Sequence, residues 1–302
     1  MKYIFEPGFF GSQEVHTALL VGAVVAITSA VVGVFTVTRG QSFAGHSLGD
    51  IAVTGGSGAF LIGVSQFWGY LAFGAGAAAF MEMIGVQRRR GRDVATGVVL
   101  GGALGLAALF LYLGTQQSAT TGASFTILFG SLFVLTSSTI PALIASALIA
   151  LVTVIVLARV LLLSSLSPDI AAARGVNVRL IGAAFLLALA ISVALSAVII
   201  GAVLSTALLV GPAATALKIA RGPVRAMVTA SVIGVAATWV GVVLAYDSFY
   251  WPPVGKGWPV SFFVVALVVG AYLVAYLLPS RTVSRAVDLP AQSAREHPCS
   301  PA

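Results

Sequence analysis

A histidine and an aspartate lie four residues apart, at His46 and Asp50, near the start of an apolar stretch. This spacing places both side chains on one face of a helix. An ionisable group inside an apolar span costs about 2.5–3.5 kcal/mol on insertion scales, so it is retained for a partner or a path. Imidazole and carboxylate are ligands for Zn²⁺ or Mn²⁺. The pair therefore predicts either a divalent-metal contact or a hydrogen-bonded pair that faces another helix.

A second carboxylate in an apolar stretch belongs to Glu82, six residues before Arg88. It is a candidate path residue. The interpretation we favour is a side chain that extends toward the basic segment at the end of its helix.

A proline follows a glycine at Gly211–Pro212, within an otherwise apolar helical pattern. Proline lacks the amide donor and clashes with the preceding turn, so this pair predicts an interruption of the hydrogen-bond ladder. Such breaks at membrane depth mark transport sites or hinges in many carriers, and they also occur without function. Both interpretations stay open.

Three glycines at Gly97, Gly101 and Gly105 form a small-residue stripe that is typical of close helix packing.

A short capped helix is predicted over residues 167–175. Ser167 suits the N-cap, Pro168 the first helical position, and Asp169 the positive end of the helix dipole. Arg174 suits the last turn, and Gly175 suits the residue that ends the helix. This helix is either a cytoplasmic docking element for a soluble partner or a plain connector.

The composition shows where these residues must lie. The 302 residues are 59% apolar and 8% charged, against roughly 45–50% and 25% for a soluble domain. A helix needs about 20 apolar residues to cross the hydrocarbon. We predict an all-α, polytopic bundle in one domain over residues 1–279, with eight or nine spans. The nine-span version uses residues 15–37, 43–65, 69–86, 94–113, 139–163, 179–199, 201–219, 225–246 and 260–279.

The lysines and arginines predict the orientation. If successive segments between the predicted spans alternate between the two sides of the membrane, all lysines and arginines except Lys2 and Lys256 fall on one side. The positive-inside rule makes that side cytoplasmic, with the N-terminus outside and the C-terminus inside a plasma membrane. We expect an outer loop at 114–122, a re-entrant or interfacial segment at 123–138, and an ordered aromatic outer loop at 247–259. The tail, residues 280–302, is predicted to be disordered and cytoplasmic.

Several function classes are disfavoured. The net charge is +7, but the basic residues lie in gaps between apolar runs, so we expect no nucleic-acid partner. Cys299 is the sole cysteine, which excludes a disulfide framework within one chain. There is no GxxxxGK[ST] phosphate loop, HExxH or nucleophile elbow. We expect a transport subunit and not an enzyme, with no permanently bound cofactor.

Five blocks of the sequence resemble, in order, the membrane permeases of the ABC-3 family, which are subunits of ATP-binding cassette importers for manganese, zinc or iron. The last block is the most specific. The blocks are RGQSFAGHSLGDIAVTGG, RDVATGVVLGGALG, ILFGSLFVL, SPDIAAARGVNVR and GAVLSTALLVGPAATALKIA.

The resemblance implies a type II importer fold, a second copy of the chain, cytoplasmic ATPase subunits at 167–175, and an extracytoplasmic protein that delivers the metal. It also implies a metal site, with the divalent ion as the transported substrate. The family block usually runs Gly-Asp-x-x-x-His. Here Gly45 is followed by His46 and then Asp50, so the two ligand types are exchanged while their spacing is kept.

Three alternatives remain at the level of the sequence. An ion-coupled secondary carrier acting alone would need intramembrane acids, for which Asp50 and Glu82 are the candidates. An ABC permease for a siderophore or other large cargo would want a wider path with fewer ligands. A membrane scaffold that transports nothing is disfavoured by the His–Asp pair.

Overall fold

The chain folds into a bundle of helices. The computed structural model describes residues 9–84, 92–118, 122–130, 132, 137–251 and 257–277. A 3-10 helix at Phe9–Gly11 opens this part of the chain. The α-helices that follow are α1 (Gln13–Thr38), α2 (Ser42–Leu61), α3 (Gln66–Ile84), α4 (Arg92–Ser118), α5 (Gly122–Phe129), α6 (Ile140–Leu166), α7 (Pro168–Ala173), α8 (Val178–Ile200), α9 (Ser205–Ile219), α10 (Pro223–Ser248) and α11 (Val260–Leu277).

Each of the nine predicted spans coincides with one of the longer helices. Among the described residues, six helices are long and apolar enough to cross a membrane on those criteria: α1, α4, α6, α8, α10 and α11. Helices α2, α3 and α9 fall short because they are rich in glycine and polar residues or contain fewer residues. The all-helical, multi-pass architecture is therefore confirmed, and the count of eight or nine spans stays a prediction.

Helices α1 and α8 form the centre of the bundle. Helix α1 packs against α6, α8, α9 and α10, while α8 also contacts α2 and α3. One of the two main core clusters joins Phe35 of α1, Leu48 of α2, Phe185 and Leu189 of α8, and Leu209 of α9. Helix α2, which carries the residues predicted to do chemistry, thus packs against the central helices.

Three buried serines join α1 to α8 in the core. Ser192 Oγ donates to Ser29 Oγ at 3.3 Å, and Ser29 and Ser196 share a hydrogen bond of 2.7 Å. Ser196 also donates to the carbonyl of Ser192 at 3.0 Å. These bonds satisfy the hydroxyl groups where no water is expected, and interhelical bonds of this kind contribute about 0.6 kcal/mol each in membranes.

Helices α2 and α3 cross at a pair of glycines. A methyl group added at Gly55 would collide with the carbonyl oxygen of Gly69, and one added at Gly69 would collide with that of Gly55. The backbones can approach this closely because neither residue has a Cβ atom. The crossing helps to hold the C-terminal half of α2 in place.

The structure bears on two sequence expectations about α4. A Cβ added at Gly97, Gly101 or Gly105 meets no atom within 4 Å in the described chain, so close packing of this stripe on another helix stays a prediction. The loop expectation is wrong at residues 114–118, which continue α4 as helix, with Thr115 Oγ1 bonded to the Tyr112 carbonyl at 2.8 Å. Polar side chains favoured a loop in the sequence, but at the end of a spanning helix they can stay helical and solvated.

Other expectations lie outside the described residues. They include the arginines at 88–90, the centre of the aromatic loop at 252–256, and the tail at 280–302. The described ends of the aromatic loop do meet. The Trp251 and Trp258 rings lie 6.3 Å apart, and the Trp258 amide donates to Ser248 Oγ at 2.8 Å.

The glycine crossing predicts a difference between two alanine substitutions on one helix. Gly69→Ala forces α3 away from α2, and overpacking of this kind costs about 1–3 kcal/mol. Gly76→Ala on the same helix meets no atom within 4 Å, so it is the matched control. We expect a lower midpoint of thermal unfolding in detergent for Gly69→Ala alone. Equal midpoints for the two variants would contradict the crossing.

Candidate functional site

The predicted pair on α2 is formed in the structure. His46 Nε2 lies 3.5 Å from Asp50 Oδ2, on consecutive turns of the helix. The side chain of His46 is 48% exposed and that of Asp50 is 14% exposed. The imidazole of His46 is therefore accessible from outside this bundle, whereas the carboxylate of Asp50 is largely covered and lies beside that imidazole.

Small residues on α2 place the pair at this position. A Cβ atom added at Gly45 would touch Leu209 and Leu189, and one added at Gly49 would touch Val193 and lie 3.3 Å from Ser205 Oγ. Helix α2 thus packs closely on α8 and on the start of α9 through its glycine face. His46 and Asp50 each follow one of these glycines and lie on a less covered side of the helix.

One chain supplies two ligands at this site. Within the described residues, no three His, Cys, Asp or Glu side chains come together in a way that could hold a metal ion. Zn²⁺ is usually held by three or four protein ligands. A complete coordination shell therefore requires water, backbone oxygen or another chain in addition to His46 and Asp50.

Glu82 lies apart from this pair. Its Oε1 is 3.8 Å from Nε of Arg179, which is the second residue of α8. The Glu82 side chain is largely covered and that of Arg179 is 74% exposed. The ion pair joins the end of α3 to the start of α8. This placement agrees with a side chain directed toward the end of its helix, and a path role for Glu82 stays a prediction.

The chain breaks between α8 and α9, and this break contacts α5. Gly201 has φ +93°, and Gly130, just after α5, has φ +79°. The amides of Ala202 and Val203 donate to the carbonyls of Ile127 and Leu128, at 3.3 and 3.4 Å. These bonds satisfy backbone groups that the helices leave unpaired, which is required where water is excluded.

Tyrosine and glycine complete this junction. Buried Tyr70 Oη of α3 donates to the Ile127 carbonyl at 3.2 Å. A Cβ added at Gly130 would collide with the Ile199 carbonyl, and one added at Gly201 would collide with the Leu128 carbonyl. The sequence identified ILFGSLFVL and GAVLSTALL as separate blocks and missed their contact. The glycine in each block was the available signal.

Helix α9 does not break at Gly211–Pro212. It runs from Ser205 to Ile219 with Pro212 inside, and Thr215 Oγ1 donates to the Gly211 carbonyl at 2.8 Å. The discontinuity lies instead at residues 201–204, where α8 ends. The sequence predicted the interruption at Pro212, but Gly201, with its positive φ, allows the sharper turn. A hinge role for Gly211 and Pro212 stays a prediction.

The predicted short helix is confirmed as α7. The Ile170 amide donates to Ser167 Oγ at 3.4 Å, Pro168 lies in the first turn, and Arg174 is the C-cap. Gly175 follows with φ +76°. Helix α7 packs against α6 and α8. The side chains of Pro168 and Asp169 lie outside the described part of the chain, and the docking role stays a prediction.

Comparison with known proteins identifies the family. The model of the ABC 3 transport family matches residues 12–278. The manganese transport system membrane protein MntC of Listeria monocytogenes is 26% identical over 243 residues, which cover 80% of this chain and 85% of that protein. The high-affinity zinc uptake system membrane protein ZnuB of Haemophilus influenzae is also 26% identical, with coverage of 78% and 90%.

A solved structure has the same fold. PsaBC from Streptococcus pneumoniae in complex with Fab contains a chain that superposes with a TM-score of 0.71 at 24% identity. The match covers 90% of this chain and 94% of that one. The helical arrangement described above is thus also present in a solved structure.

The junction between α5 and the α8–α9 break predicts an unequal effect of two glycine substitutions. Gly201 (φ 93°, ψ 156°) and Gly222 (φ 99°, ψ 156°) share a conformation that costs an L-residue about 1–3 kcal/mol. Only Gly201 also faces the backbone of α5, while Gly222 meets no atom within 4 Å. We expect Gly201→Ala to lower the unfolding midpoint in detergent more than Gly222→Ala. A similar loss in both would show that strain alone matters.

Proposed function

Because this chain belongs to the ABC-3 transport family, we propose that it is the permease of an importer for a divalent metal ion, Mn²⁺, Zn²⁺ or Fe²⁺. The chain would form the path as a homodimer in the plasma membrane, driven by separate cytoplasmic ATPase subunits. An extracytoplasmic metal-binding protein would deliver the ion. The manganese and zinc systems named for its relatives support a metal as cargo.

The observation that carries the proposal is the pair of an exposed His46 and a largely covered Asp50 on one face of α2. A lipid-facing position would leave an imidazole and a carboxylate in or beside hydrocarbon, which is costly. A water-filled path accounts for the exposure of His46 at a lower cost, and it would bring a cation to the imidazole and to the carboxylate next to it. Nitrogen and carboxylate oxygen are exchangeable ligands for Mn²⁺, Zn²⁺ and Fe²⁺.

The incomplete ligand set favours a second copy. Two chains related by a twofold axis present the same surface to each other. If that axis passed beside α2, the two copies would supply two imidazoles and two carboxylates. Four such ligands complete a site for a divalent ion, and one chain alone supplies half of them.

The movement of the ATPase subunits would be transmitted to the permease through α7. Closure of ATP-bound partner subunits would move α7, and α6 and α8 would follow because α7 packs on both. Helix α8 contacts α2 directly, so the motion would reach the metal pair and exchange outward-open and inward-open states. The predicted orientation, with the N-terminus outside and the C-terminus inside, places α7 on the cytoplasmic side.

The metal pair can be tested by removal and by exchange. His46→Ala and Asp50→Ala should each abolish metal uptake, while the permease still assembles with its ATPase. The double exchange His46→Asp with Asp50→His restores the order usual in the family and keeps the ligand set, so we expect it to retain uptake. Uptake of Mn²⁺, Zn²⁺ and Fe²⁺ by cells or proteoliposomes, measured by elemental analysis, distinguishes these outcomes.

Full uptake by the double alanine variant would refute the metal site. Loss of uptake in the exchanged variant, with normal assembly, would show that the order of the ligands is essential. Uptake by the unmodified chain without an ATPase would instead identify a secondary carrier.

The docking role of α7 predicts loss of coupling. Asp169→Lys reverses a charge in the first turn, and Gly175→Pro prevents the positive φ that ends the helix. We expect the complex of each variant to hydrolyse ATP with little or no transport, measured together in proteoliposomes. Arg159→Gln, an exposed charge change on α6 outside the docking helix, is the control and should behave as the unmodified chain. Normal transport per ATP in both test variants would remove the docking claim.

A further inference from the structure

A half-buried arginine connects the start of the helix that carries the metal pair to the two helices that pack against α7. Arg39 is the C-cap of α1, and α2 begins three residues later, at Ser42. Arg39 Nη1 donates to Ser164 Oγ at 2.9 Å and to the Leu161 carbonyl at 3.4 Å, both on the last two turns of α6. Its guanidinium carbon lies 5.4 Å from the centre of the Phe185 ring on α8.

These contacts bring the turn between α1 and α2, the end of α6 and helix α8 together around one guanidinium group. Ser164 lies three residues before Ser167, the N-cap of α7. Phe185 is fully buried, and a cation over its ring is attracted by the ring quadrupole. The guanidinium therefore fastens the turn between α1 and α2 to both helices that pack against α7.

The position of Arg39 relative to the metal pair is equally direct. His46 lies on the second turn of α2, and Gly40, with φ +63°, fixes the sharp turn between Arg39 and the start of that helix. The Gln41 amide donates to the Thr36 carbonyl at 2.8 Å, which closes this turn. A displacement of the Arg39 side chain would thus shift the start of α2, and α2 would carry it to His46 and Asp50.

The same turn contains groups that this arrangement does not satisfy. Arg39 Nε and Gln41 Oε1 are buried, and neither has a hydrogen-bond partner in the described part of the chain. A buried donor or acceptor without a partner is unfavourable. Arg39 Nε is a donor and Gln41 Oε1 an acceptor, so a shift of the turn that brought them together would satisfy both groups.

We propose that Arg39 is a positioning residue that couples α6, α7 and α8 to the metal pair on α2, and that the turn at residues 39–41 changes its hydrogen bonds between transport states. This rests on the proposed function. Helix α8 contacts α2 through apolar side chains, whereas Arg39 supplies a directional link from the end of α6.

The test compares coupling with binding in the intact complex of permease and ATPase, reconstituted in proteoliposomes with Mn²⁺ as the probe. Arg39→Gln removes the charge and the bond geometry. We expect transport per ATP hydrolysed to fall at least tenfold, while Mn²⁺ affinity without nucleotide stays within twofold. The response of that affinity to a non-hydrolysable ATP analogue should be lost. Arg39→Lys keeps the charge and one donor, so it should be intermediate.

Two further variants separate coupling from folding. Ser164→Ala removes one acceptor from a small buried site and should reduce transport per ATP two- to threefold without loss of assembly. Arg159→Gln makes the same charge change on an exposed residue of α6 and should leave the ratio unchanged. A purely structural role for Arg39 would lower the yield or thermal stability of the complex but preserve transport per ATP in the folded fraction.

The outcomes can be assigned separately. The coupling role alone would be overturned if the unmodified complex transports Mn²⁺ and Arg39→Gln changes neither measured quantity. These quantities are the transport per ATP hydrolysed and the effect of the ATP analogue on Mn²⁺ affinity. No uptake of Mn²⁺, Zn²⁺ or Fe²⁺ by the unmodified complex would overturn the proposed function, and the coupling role with it.

Discussion

The lack of water in the hydrocarbon region is the constraint on which this structure depends. Every backbone amide and carbonyl there must find a partner within the protein, and continuous helices provide most of these partners. The chain nevertheless interrupts its helices between α8 and α9 and after α5. The two interruptions lie against each other, and amides at 202–203 bond to carbonyls at 127–128. Each irregular segment is stable because the other one is present.

The contact between the two interruptions shows what the short α5 helix contributes to the fold. Eight residues are too few to cross a bilayer, and the helix does not pack extensively on its neighbours. Its end instead supplies carbonyl groups to the α8–α9 break and to Tyr70. Helix α9 can then begin inside the bundle, where Ser205 reaches the glycine face of α2 beside Asp50. The irregular part of the fold and the candidate metal helix are therefore in contact.

Polar groups that the bundle retains fall into two kinds. Ser29, Ser192 and Ser196 satisfy one another and serve the packing of α1 on α8. His46 and Asp50 are paired at a longer distance of 3.5 Å, and the His46 side chain is half-exposed. Satisfied, inaccessible hydroxyls are consistent with stability, whereas an exposed imidazole beside a carboxylate is available to a ligand. The side chains of Arg39 and Gln41 lie between these cases, since they are half-buried and only partly hydrogen-bonded.

The sequence alone determined that the chain is a multi-pass helical membrane protein, the approximate helix positions, the capped α7 helix and the spacing of His46 and Asp50. These follow from local rules, because apolar length, capping residues and the helical repeat act over a few neighbouring residues. Tertiary structure decided what meets across the bundle: Gly130 with Gly201, Gly55 with Gly69, Glu82 with Arg179, and Arg39 with Ser164. It also decided that Pro212 stays inside a continuous helix and that the α4 glycines remain uncovered within the described chain. Contacts between distant segments depend on packing in three dimensions, so they cannot be predicted from the local pattern of residues.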